Sequence, residues 1–232
     1  MSAAIHPIRP DVVGLVEGDH LDQPEFHRRY EAMPPGFRAE LIDGVVYMPS
    51  PLSDDHGQSH FSMIFWLGHY VEQTDGVKGL DNATAILGRR NEPQPDVSLC
   101  ILPEFGGQTR VQDGYVHGAP ELIVEIAKAS RYIDLGPKLV EYQRAAVQEY
   151  IVRALDPDEL IWFRLNEGTL RRVSPDEDGI YRSLAFPGLW LDAQALLVGD
   201  SRQLRRVIDL GLASPEHAGF VARLAANRSA RP

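Results

Sequence analysis

The sequence is poor in cysteine, in basic residues and in long apolar runs, and each shortage closes off a class of function. Cys100 is the only cysteine among 232 residues, which excludes an intrachain disulfide and any CxxC pair for zinc or redox work. A reducing compartment, the cytoplasm, is the expected setting. Lysine and arginine number 23 against 33 aspartates and glutamates, a formal net charge of −10. This balance argues against a broad basic surface that neutralises many phosphates. It does not exclude a local basic groove or a metal-bridged contact. No stretch approaches the roughly 18 uninterrupted apolar residues of a membrane-spanning helix. The opening MSAAIHPIRPDVVGLVEGD lacks the basic-then-apolar order of a secretory signal. No GxxxxGKS/T, GxGxxG or GxSxG occurs, so P-loop, dinucleotide and hydrolase-elbow readings have no support.

What is present fits a globular α/β protein. Hydrophobic residues make up 44% and charged residues 24%, enough apolar material for a core in a chain the length of one large domain. Residues 1–22, with Pro7, Pro10 and Gly14, read as a loose lead-in. Residues 23–33 (QPEFHRRYEAM) predict a short helix that Pro34-Pro35-Gly36 stops. Asp43-Gly44 between FRAELID and VVYMPSP predicts a hairpin. A buried helix is expected over 55–73 and short strands over 77–102. The glycine-punctuated stretch 103–119 is expected to be a mobile loop. ELIVEIA at 121–127 reads as a central buried strand, followed by a helix over 136–147 and the strands EYIVRAL and LIWFRL. A hairpin is expected around Asn166-Glu167-Gly168. Segment 187–198 and a helix over 215–226, capped by Ser214 with Pro215 at its first position, finish the chain. The order predicts a mixed sheet flanked by helices over 23–200, with a C-terminal helical extension over 201–232.

Three residues stand out together. Pro95-Asp96 opens an apolar strand, Glu125 lies within another, and Lys138 sits near the start of the next helix. Lys138 alone reads as a solvated helix lysine. Glu125 does not: a carboxylate amid Leu122, Ile123, Val124 and Ile126 carries a desolvation cost unless it is paired or bound to metal. Two carboxylates on adjacent strand ends suit a hard divalent cation, Mg²⁺ or Mn²⁺, with positions left for water and a phosphate oxygen. A nearby lysine would position the attacking water, or help deprotonate it, and offset charge at phosphorus.

The stretches ELIDGVVYMPSPLSDDH (40–56), NEPQPDVSL (91–99), PELIVEIAKAS (120–130) and DLGPKLVEYQRAAVQEYIV (134–152) carry a resemblance, as does PGLWLDAQALL (187–197). The sequence resembles the Uma-two family of restriction endonucleases, within the PD-(D/E)XK nuclease superfamily, over roughly residues 25–200. The resemblance implies a restriction-endonuclease-like α/β core, a DNA substrate and Asp96 and Glu125 as metal ligands. It also implies that Glu40 reaches the same metal and that His56 falls beside the site. Lys138 matches the family's D-x-x-x-K-x-x-x-Y stretch, with Asp134 and Tyr142 as neighbours. One departure matters. In the simple E-x-K form the lysine lies two residues after the glutamate, and here that position is Ala127. Lys128, one further on, is turned away by strand alternation. The lysine role therefore moves to Lys138, on the same helix face as Glu141 and Tyr142.

Weaker signals have ordinary readings. His56 and His60 are four apart but form no HExxH, so zinc is disfavoured. Trp66, Trp162 and Trp190 read as core. Of the scattered basic pairs, Arg89 and Arg90 lie just ahead of Asp96 and are the ones to suspect of touching phosphate. The expected function is a metal-dependent endonuclease that engages DNA weakly at one groove, with a homodimer suited to double-strand cleavage. The alternatives are a nuclease fold kept only for binding or regulation, and a structural oligomer in which an arginine satisfies Glu125.

Overall fold

In the computed structural model, residues 13–230 are described. The chain begins with local signals that the sequence spells out. Asp22 caps helix α1 (Gln23–Tyr30) by accepting from the Glu25 amide at 3.1 Å. Strands β1 (Glu40–Ile42) and β2 (Val45–Tyr47) pair antiparallel. Asp43 (φ 49°) and Gly44 (φ 77°) between them both adopt left-handed backbone, the combination a two-residue hairpin requires. Leu15, Phe26, Ala39, Leu41 and Val46 form a small core beneath this unit. Of the expected lead-in, residues 1–12 lie outside the described residues. Residues 18–21 are sewn to the hairpin through Gly18 N–Val46 O and Leu21 N–Gly44 O, both 2.8 Å.

The main sheet comprises β3 (Val77–Asp81), β5 (Val97–Ile101), β8 (Leu122–Ala127), β9 (Glu149–Leu155), β10 (Asp158–Asn166) and β11 (Thr169–Val173). Their order is β11-β10-β9-β8-β5-β3, with β8 and β9 parallel and every other pair antiparallel. All six residues of β8 are buried, as a strand covered on both faces must be. Its alternation divides its side chains between two cores. Leu122, Val124 and Ile126 join Met63, Trp66, Leu67 and Tyr70 of α2 (Asp54–Glu72) in the larger core. Ile123 and Ala127 face the other way, into a second core with Tyr142, Tyr150 and Val152. Glu125, between those two, is turned to this second side.

A parallel pair needs a crossover, and residues 131–144 provide it. The expected helix over 136–147 instead starts earlier, ends earlier and is interrupted. Helix α3 (Arg131–Ile133) runs into a π-helical turn (Asp134–Lys138), then α4 (Leu139–Arg144). Pro137 has no amide to give, so the regular ladder cannot continue through it.

The stretch 103–119 also differs from the expected mobile loop. It holds a 3₁₀ turn (Pro103–Phe105) and strands β6 (Arg110–Gln112) and β7 (Tyr115–His117), an antiparallel hairpin whose β7 also pairs with β4 (Ala85–Ile86). Gly107 serves a close approach: a Cβ there would meet the Ile101 carbonyl oxygen at 1.8 Å. Strands β12 (Ile180–Arg182) and β13 (Trp190–Asp192) and helices α5 (Ala193–Val198), α6 (Ser201–Leu212) and α7 (Pro215–Ser229) complete the chain. Helix α6 falls within the helical extension expected over 201–232, ahead of the delimited helix that becomes α7. Leu204, Ile208, Phe220 and Leu224 of α6 and α7 enter the same core as Trp66, so 201–229 is packed into the domain. No described helix is long and apolar enough to cross a membrane.

Candidate active site

Where β5 starts, β8 is ending. Val97 pairs with Val124, which brings Asp96 beside Glu125. Asp96 Oδ2 accepts the Ile126 amide at 2.7 Å, and the Asp96 amide lies 3.4 Å from Glu125 Oε2. The crossover covers this point. Lys138 Nζ, from the π turn, donates to Glu125 Oε1 at 2.9 Å, and Tyr142 Oη, one turn on, donates to the same oxygen at 2.7 Å. Lys138 also lies 2.9 Å from Glu40 Oε2 and 3.7 Å from Asp134 Oδ1. Glu40 Oε1 accepts the Gln94 amide at 2.6 Å, and Ser130 donates to Asp134 at 2.7 Å. His56 Nε2 stands 3.6 Å from Asp96 Oδ2, and His60 Nε2 lies 3.0 Å from the Asp96 carbonyl oxygen. The sequence-derived candidates Glu40, His56, Asp96, Glu125, Asp134, Lys138 and Tyr142 are thus neighbours.

The cluster is dominated by negative charge: four carboxylates share one ammonium. Burial pushes the Glu125 carboxyl well above its usual range; repulsion from Asp134, Asp96 and Glu40 adds to this, and the attraction of Lys138 does not cancel it. Asp134 is raised in the same way, burial outweighing Lys138 and Ser130. For Lys138 burial alone would lower the value, but attraction to Glu125, Glu40 and Asp134 wins and holds it protonated far above the usual lysine range. Asp96 goes down. Burial opposes this, yet the His56 ring, the Ile126 amide and Lys138 together stabilise its charge.

These side chains sit in a cleft of about 710 Å³. Several of its lining residues carry no sequence signal. Arg38, two positions before Glu40, lines the cleft, is exposed and has no ion-pair or hydrogen-bond partner among the described residues. Lys128 points away from Glu125 and holds Asp55 at 2.7 Å and Ser53 at 3.3 Å at the rim. Two other candidates stand apart: Arg89 pairs with Asp22 at 3.2 Å and Arg90 with Asp43 at 2.9 Å, neither lining the cleft. Glu141, on the Lys138 face by spacing, is diverted to Asn91 at 2.6 Å and to Arg144. Trp66 and Trp162 are fully buried in the larger core.

The donor set suits a hard divalent cation. Asp96 Oδ1 accepts no hydrogen bond from the described residues, and Glu125 Oε2 has only the long 3.4 Å contact. A divalent cation also offsets the surplus charge that one lysine leaves. Among the described residues, no three His, Cys, Asp or Glu side chains are already arranged as a cage. Mg²⁺ does not need one: one or two carboxylates, with water and phosphate oxygens, are its usual shell.

A family model described as "Uma2: Putative restriction endonuclease" matches residues 23–194. This chain belongs to the Uma2 family. Among solved structures, a nuclease of the DUF820 group from Anabaena variabilis, itself described as putative, superposes with a TM-score of 0.55 at 12% identity. The match covers 78% of this chain and 97% of that one; at this identity it speaks for the fold alone. Comparison with curated proteins finds no match. Uma2 membership and the shared fold agree with a restriction-endonuclease-like core, and the family match spans every acidic residue of the cluster.

Proposed function

We propose that this Uma2 protein is an endonuclease that hydrolyses DNA phosphodiester bonds, with Mg²⁺ or Mn²⁺ held by Asp96 and Glu125. When bound, the ion supplies Lewis acidity at the phosphate and lowers the pKa of a bound water. The chain's own residues do the rest. Glu40, Glu125 and Asp134 hold Lys138 as an ammonium, so it orients the attacking water and offsets charge at phosphorus rather than taking a proton. Tyr142 and Lys138 fix the rotamer of Glu125. The Ile126 amide and His56 fix Asp96. Arg38 faces the cleft as a cation free to meet a substrate phosphate.

The observation that carries this reading is the company Glu125 keeps. Other buried glutamates are satisfied by structural donors, Glu121 by the Ile101 and Gln108 amides and Glu149 by Arg164 and Ser183; Glu125 is held by a lysine and a tyrosine among three other acids, at the floor of a cleft. Cleavage of a mixed DNA substrate in Mg²⁺ or Mn²⁺ tests it, comparing wild type with Asp96→Ala and Glu125→Ala. Both variants should be inactive. Equal activity in all three proteins would overturn the proposal.

A further inference from the structure

We propose that a second concavity, at the tip of the loop 82–94, anchors a phosphodiester of the nucleic-acid strand whose scissile bond lies in the cleft. The inference rests on nucleic acid being the substrate, not on cleavage itself. The concavity, about 380 Å³, is lined by Arg89, Arg110 and His117, with Gln23 and the backbone of Gly88 and Gly118 among the rest, and by no acidic residue. In a chain of net charge −10 that is out of pattern. Arg29, Arg131, Arg164 and Arg205 are each ion-paired, whereas Arg38 in the cleft is not. The side chains of Arg110 and His117 have neither an ion pair nor a hydrogen bond among the described residues, and the Arg89 side chain has only a solvated pair with Asp22 that a phosphate can displace.

The register sharpens the point. Arg110 and His117 are directly opposite in the β6–β7 hairpin, so their side chains share a face within contact distance. An anion lying between them would meet the Arg110 guanidinium and a His117 ring nitrogen together. Arg89 closes the third side from the turn after Gly88 (φ 99°). Arginine forks match phosphate oxygens.

The loop links this pocket to the cleft. Asn82 and Gln94 line the cleft and are joined by Gln94 Nε2–Asn82 O at 2.8 Å. The two arms then zip through Ala85 N–Pro93 O and Leu87 N–Asn91 O, both 2.9 Å. Five steps separate Gln94 from Arg89. Because the chain turns at 88–90, they cover at most about 16 Å at strand rise, or up to about five nucleotides of a strand at 3.4 Å each. A short substrate would fill the cleft alone; a longer strand would reach the pocket.

The test compares wild type with the double variant Arg89→Ala/Arg110→Ala. Both positions are exposed, and Arg110→Glu serves as an independent second variant. Anisotropy of a labelled DNA strand of about 20 nucleotides, measured in EDTA, should show Kd raised about tenfold and the slope of log K against log salt reduced by about 1.5. Arg110→Glu should weaken binding at least as much. With metal, the double variant should show a raised KM and unchanged kcat on the long strand, and wild-type kinetics on a dinucleotide. Unchanged Kd and salt slope would overturn the inference. So would inorganic phosphate shifting the His117 ring resonances while the strand binds both proteins equally, because the pocket would then serve a free anion. Weakened strand binding without cleavage under any metal would keep the anchor and remove the nuclease reading. Cleavage with an unchanged KM would do the reverse.

Discussion

Glu125 and Glu149 lie on the adjacent parallel strands β8 and β9, both almost fully buried, and the protein treats them in opposite ways. Glu149 accepts from the Ser183 hydroxyl, from the Leu184 amide at 3.0 Å and from Arg164 Nε at 3.1 Å. Every donor there is a structural tie between β9, β10 and the segment after β12. Glu125 accepts from Lys138 and Tyr142, has one long contact with the Asp96 amide, and otherwise faces acids. A buried carboxylate is therefore not in itself the mark of a site. Its partners are. Where donors outnumber the charge, the glutamate is a knot; where like charges crowd it at a cleft, the fold has held stability in reserve for something cationic.

The sharpest way to break this contrast is to remove each glutamate's cation. Lys138 is buried and, among the described residues, the only ammonium paired within this group of four carboxylates. Lys138→Met should lower unfolding free energy by about 3–5 kcal/mol in urea titrations. Arg164 is partly exposed, so Arg164→Met should cost about 1 kcal/mol. Similar losses would mean the two sites are electrostatically alike.

Removing the carboxylates should separate activity from stability. Glu125→Gln should reduce cleavage by about 10²–10³-fold while leaving the thermal midpoint in EDTA unchanged or raised, since it relieves repulsion among the acids. Glu149→Gln should do the opposite: cleavage preserved, and about 1–3 kcal/mol of stability lost as donors lose their acceptor. Divalent metal should then discriminate further. At a hundredfold excess over its Kd, Mg²⁺ should stabilise the wild type by about 2.7 kcal/mol, read as a shift of the thermal midpoint. Asp96→Ala should show no shift, and Glu149→Gln should keep the shift in full.

Much of this contrast is legible in the sequence, and the part that is not is instructive. Asp43-Gly44 and Ser214-Pro215 carry their geometry locally, and the hairpin and α7 form where they predict. EYIVRAL is strand β9 from end to end. Glu125 stands out because it interrupts an apolar run. Glu149, which begins one, does not, although it is the more deeply buried of the two; its donors come from 15 to 35 positions further on. Arg38 and the Gln94 amide escape notice for the same reason. Their roles depend on which strand end lies opposite, which periodicity does not report. The π turn is hidden by a helical pattern that Pro137 distorts without ending.

The smallest effect comes from protons, in metal-free protein. Burial raises both Glu125 and Glu149 above the ordinary 4.5, Glu125 much further. A carboxyl raised in the folded state holds its proton more tightly there than in the unfolded chain. Its contribution to stability is complete below pH 4.5 and is lost as pH rises through the folded value. Each glutamate therefore makes the EDTA-treated protein less stable on the alkaline side, and for Glu125 the loss extends to higher pH. Urea unfolding from about pH 5 to about pH 8 reads this directly. Glu125→Gln should flatten the decline over that range, and Glu149→Gln should flatten it less and only at its acid end. Equal flattening would mean that Arg164 and Ser183 relieve Glu149 no better than Lys138 relieves Glu125. The distinction between a knot and a site would then have to rest on the cleft alone.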